Sequence, residues 1–143
     1  MALLTHEIRV WVPGYPLSQR GKGKHRTWYY ETIRTAARQK FAQPIDRSPI
    51  EIEIVFREPE PGKQRPDVDN IAKEIADSLK GIAYPDDALI VKSTCAVVPN
   101  DPNLRVINGE PHRTFEKLLR GEEFLIRIMF PDVPSITHTL RTT

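Results

Sequence analysis

The chain has 143 residues, 39% hydrophobic and 28% charged, with a net charge of +2, the composition of one globular domain large enough to bury its own core. No apolar run approaches the roughly 18 to 20 residues that span a bilayer, and the opening MALLTHEIRV lacks the basic-then-apolar order of a signal peptide. A single cysteine, Cys95, rules out an internal disulfide and suits a reducing compartment, so a cytoplasmic protein without membrane association is expected.

In chain order, Ile8, Val10 and Val12 alternate in a first strand that stops at Pro13-Gly14. Residues 14–27 hold glycines, a proline and clustered bases without an apolar period and read as a loop. Thr27 is placed to cap a helix from Trp28 to about Ala42, with Trp28, Ile33, Ala37 and Phe41 as its apolar stripe. IEIEIVF (50–56) is a strand with Ile50, Ile52, Ile54 and Phe56 on one face and Glu51 and Glu53 on the other. A second helix fits Val68 to Leu79, where Ile71, Ile75 and Leu79 recur every four residues and Gly81 supplies the stop.

After the turn at YPDD, the β-branched run 88–98 reads as a strand. Residues 99–121 are irregular, with turn signals at Asn108-Gly109 and a short helix expected between Pro111 and Leu119. EEFLIRIMF (122–130) is the last strand. The order implies one α/β (α+β) domain over 1–130, a small mixed sheet packed with two main helices, and a flexible tail over 131–143.

Charge is uneven along this order. From Arg20 to Lys40 the chain carries Arg20, Lys22, Lys24, Arg26, Arg34, Arg38 and Lys40 against the single acid Glu31. Such a block can hold a polyanion, or it can be a solvated helix face beside a loop. Acids gather instead around the second helix. Asp67 stands at its cap position, Asp69 in its first turn, and Asp86-Asp87 in the turn that follows it. Each has a structural explanation. Brought together, they would be hard oxygen ligands suited to Mg²⁺ or Mn²⁺ and not to structural zinc, with Lys73 one turn from Asp69. His6, His25, His112 and His138 show no zinc spacing, and neither a P-loop nor Gly-x-Gly-x-x-Gly is present. No nucleotide cofactor is expected.

PDVDNIAK (66–73) and GIAYPDDALI (81–90), with VPGYPLSQRG (12–21) ahead of them, resemble the RusA-type Holliday junction resolvases, crossover junction endodeoxyribonucleases common in phages and prophages. The family pattern is similar to Pro-Asp-x-Asp-Asn-x-x-Lys at a helix start, then Gly-x-x-Tyr-x-Asp-Asp-x-x-Ile. The resemblance implies that Asp67, Asp69 and Asp87 are metal-binding catalytic acids, with Asp86 a further ligand. It implies that Lys73 is the catalytic lysine and that Asn70 braces the site. It also implies Mg²⁺ as cofactor (Mn²⁺ as substitute), branched DNA as partner, a homodimer, and paired symmetric nicks at four-way junctions in recombination and repair. The basic residues from Arg20 to Lys40 would then hold phosphates. Trp28 is expected in the core, with stacking of Trp28, Tyr29 or Tyr30 on unpaired bases as the other reading. Two functional alternatives share these residues: a less selective branched-DNA nuclease, and a non-catalytic DNA-binding accessory protein. Residues 99–121 carry no resemblance.

Overall fold

The computed structural model describes residues 4–16, 24–63, 67–101, 106–107 and 110–131. The elements are β1 (Leu4–Pro13), α1 (Lys24–Arg38), β2 (Ile50–Arg57), α2 (Val68–Leu79), β3 (Ile90–Val98), β4 (Val106–Ile107), β5 (Glu110–Pro111), α3 (Glu116–Leu119) and β6 (Glu123–Pro131). Short 3-10 turns occupy Asp87–Leu89 and His112–Phe115. A mixed sheet in the order β1-β6-β2-β3 forms the frame, and β4 and β5 pair separately. The pairs β1/β6 and β6/β2 are antiparallel, while β2 and β3 are parallel. A parallel pair needs a long crossover, and α2 is that crossover.

Register explains the layering. Val10, Ile126, Ile54 and Cys95 form one row across the sheet, on the face covered by α1 and α2. The stripe Ile71, Ile75 and Leu79 of α2 is fully buried there, as its four-residue spacing predicts. The row one residue on, Trp11, Leu125, Val55 and Ala96, faces the other way. Half of that second face is apolar and sits under Phe115 and Leu118. The other half is charged. Arg9 bonds Glu7 at 2.7 Å and also Glu110, while Arg127 joins Glu7 to Glu53. Burial pushes the Glu7 carboxyl up, but hydrogen bonds from Arg127 and Arg9 outweigh it and hold the group below the ordinary value.

Three expectations are corrected. Helix α1 spans Lys24–Arg38, so Thr27 lies inside its first turn and is not its cap. The extra turn was hidden because Lys24, His25 and Arg26 form helix adequately but carry no apolar period. Trp28 does not enter the core: it is 56% exposed, and Tyr29, at 4%, takes the buried position with Ile33 and Ala37. Pro131 is buried in β6 and belongs to the strand and not to a tail. Residues 132–143 lie outside the described residues. No described helix is long and apolar enough to cross a membrane.

Candidate active site

The first acid pair is built by the start of α2. Asp67 has extended backbone (φ −65°, ψ 118°), and its carboxylate accepts a hydrogen bond from the Asp69 amide at 3.0 Å. This satisfies one of the amide groups that a helix start leaves unpaired. Asp69, in the first turn, gains from the helix dipole. Both carboxylates are exposed. Asn70 is half-buried beside them, and Lys73 is exposed one turn further along the Asp69 face. The turn rests on β3, where the Cys95 thiol donates to the Val68 carbonyl at 3.5 Å. Burial, then the charge of Asp69, pushes that thiol up to about 11.

The second pair is built by the exit from α2. Gly81 takes φ +86°, a conformation that side chains resist, and its amide donates to the Tyr84 carbonyl at 2.7 Å. Ile82 and Ala83 amides return to the Leu79 carbonyl at 3.0 and 2.9 Å. The fully buried Tyr84 sends its hydroxyl back to the Ala76 carbonyl at 2.6 Å. Burial, then the charges of Asp87 and Asp77, raises that phenol's pKa. Asp86 accepts from the Ala88 amide at 3.0 Å, capping the 3-10 turn that carries Asp87. That amide, a hydrogen bond shared with Asp87 and the charge of Lys80 hold the Asp86 carboxyl below its ordinary value.

The acids therefore stand as two pairs along α2. Asp67 and Asp69 belong to the start of α2, whereas Asp86 and Asp87 belong to the 3-10 turn that follows its exit. Among the described residues no three His, Cys, Asp or Glu side chains are close enough to share one metal ion. The donor chemistry fits a hard divalent cation, since every nearby ligand in both pairs is a carboxylate. Their convergence is not part of this geometry.

The basic residues have separate places. Arg34 is held on α2, donating to the Ser78 and Lys80 carbonyls, both at 3.0 Å, and lying over the Tyr30 ring at 5.2 Å. It covers carbonyls that the helix end leaves open. Arg38 is exposed and Lys40 half-buried. Lys24 and Arg26 lie in the first turn of α1, and Arg20 and Lys22 lie outside the described residues. Sequence reasoning missed Arg34 as a brace and the burial of Glu74, which lines a cavity of about 270 Å³ with Thr27, Tyr30 and Asp77. Neither has a local signal, because both depend on how α1 meets α2. Tyr84 did have one, in the spacing of GIAYPDDALI.

No match was found among curated proteins. Residues 19–108 match the family model for endodeoxyribonuclease RusA, a span of well over half the chain that contains both acid pairs, Lys73 and the basic start of α1. With that match laid over the two ends of α2, the chain belongs to the RusA family of endodeoxyribonucleases.

Proposed function

We propose that residues 1–130 form a metal-dependent nuclease domain, active in the cytoplasm, that makes paired nicks in four-way DNA junctions. The observation that carries the proposal is the family match across both acid pairs, with Asp67 and Asp69 fixed side by side at the amino end of α2. Asp67 and Asp69 would hold Mg²⁺, or Mn²⁺ in its place. Asp87, with Asp86 as a further ligand, is not close enough to share that ion within one chain and would reach it only from a second copy of the chain. When bound, the ion supplies an activated water and a counter-charge for the phosphate. Lys73 places a permanent positive charge on the Asp69 face, suited to the non-bridging phosphate oxygens as charge builds on them. Asn70, half-buried, would steady the first turn against the ligand acids.

The cations are arranged for a polyanion. Helix α1 has no acid in its first turn and carries Lys24 and Arg26 there instead. That is unfavourable against the helix dipole on its own, and phosphate at the same place offsets it. Arg20, Lys22, Arg38 and Lys40 would extend the phosphate contact, while Arg34 acts as a brace between the helices. A four-way junction has approximate two-fold symmetry and is cut on two strands, so a two-fold homodimer is the matching assembly.

Asp69→Asn separates chemistry from binding. The proposal expects at least a hundredfold loss of Mg²⁺-dependent junction cleavage while binding of the intact junction in EDTA is retained. Cleavage by the purified variant at the wild-type rate would remove Asp69 from the site.

A further inference from the structure

Trp28 stands at the mouth of a cavity of about 370 Å³, within the size range of small-ligand sites. On α1 the lining positions 28, 31, 32, 35 and 36 recur at three- and four-residue steps, so they share one helix face, which Gln39 extends just past the helix end. That face turns away from the buried stripe of Tyr29, Ile33 and Ala37. Trp11 lines the cavity from β1, an edge strand of the sheet. Its own ring is packed on Phe115 at a centroid distance of 5.9 Å, which fixes that wall. The Thr32 hydroxyl donates to the Trp28 carbonyl at 2.7 Å. Gly14, at φ +99°, leaves open the space beside the indole, whose edge is 3.7 Å from where a Cβ would stand.

The site thus combines two aromatic walls with a polar rim of Glu31, Thr35 and Gln39. A flat ring with polar edges matches that combination better than an aliphatic chain does. The sequence between the two walls narrows the occupant further. Residues 14–27, which join the two walls in sequence, carry Arg20, Lys22, Lys24 and Arg26 and no acid. A polyanion whose units each bear a π-face meets both features.

We infer that the Trp11–Trp28 cavity receives an unstacked nucleobase of the DNA substrate, stacked on Trp28 with its edge toward the rim. The inference rests on the nuclease reading and deepens it. Because Thr27, Tyr30 and Arg34 turn toward α2 from another side of α1, the thickness of α1 stands between the base and α2, whose two ends carry the acids. It therefore belongs to a nucleotide beside the branch point and not to the scissile one.

The test uses a four-way junction carrying one unpaired 2-aminopurine at the branch, bound in EDTA so that no strand is cut. Trp11→Phe leaves Trp28 as the sole tryptophan of a chain that has two. Binding is expected to quench both Trp28 and 2-aminopurine emission. Trp28→Ala is expected to weaken junction binding about tenfold or more, and Trp28→Phe to keep most of it. A fully paired linear duplex should bind wild type and Trp28→Ala alike. Unchanged Trp28 emission in the bound complex, or wild-type junction affinity for Trp28→Ala, overturns the inference while the nuclease reading stands. Failure of the wild-type chain to bind any branched DNA overturns both.

Discussion

Cys95 shows how one side chain reports on the candidate site. It ends a row of core residues across the sheet, yet its thiol touches the first turn of α2, where Asp69 raises its pKa in addition to burial. The folded chain keeps the thiol proton to about 11, whereas an ordinary thiol releases it near 9.0. The unfolded state therefore loses its proton first as pH rises, and the thiol's contribution to stability, full below 9, disappears between 9 and 11. Alkylation follows the thiolate. Iodoacetamide should modify native Cys95 with a half-maximal rate near pH 11; a midpoint near 9 would mean that neither burial nor Asp69 acts on it. The sequence identifies Cys95 as a lone cysteine, but its neighbour Asp69 is visible only once β3 and α2 are packed together.

Helix α2 is where local sequence and structure agree most closely. Its limits, Val68 and Leu79, coincide with those read from a cap, an apolar period and a glycine stop, because all three signals are local. Its cap also carries the proposed function, and the two roles of Asp67 can be separated. Asn caps a helix as well as Asp does, so Asp67→Asn should leave the melting temperature nearly unchanged while lowering Mg²⁺-dependent activity. Asp67→Ala should reduce stability by about 0.5–2 kcal/mol as well. Equal stability of the two variants in thermal melts would show that the cap contributes little. Helix α1 was less legible. Its first turn is all polar, and its apolar stripe can be drawn through Trp28 or Tyr29; only the packing of α1 on the sheet, with Tyr29 against Phe124 of β6, settles that Tyr29 goes in and Trp28 stays out. Arg34 reads in sequence as one more phosphate-binding base, but contact with the end of α2 makes it a brace.

At the scale of the molecule, the strand patterns were sufficient for a mixed sheet with two principal helices, but not for its second face. Val55 breaks the alternation of β2 because α3 covers it, and a four-residue helix after a 3-10 turn leaves almost no periodic signal. The acid pairs were legible as motifs, each held by a cap or turn that sequence alone suggests. Their separation along α2 was not, since it depends on how the exit loop folds back through Tyr84 onto Ala76. The central claim is that this architecture cuts branched DNA with a divalent cation. The most direct test incubates the wild-type chain with a synthetic four-way junction and with a linear duplex of the same sequence, each in Mg²⁺ and in EDTA. Paired, symmetric nicks near the crossover that require Mg²⁺ and are absent from the duplex are the predicted result. Equal cutting of both substrates would contradict junction selectivity, and binding with no cutting under any condition would contradict the nuclease assignment itself.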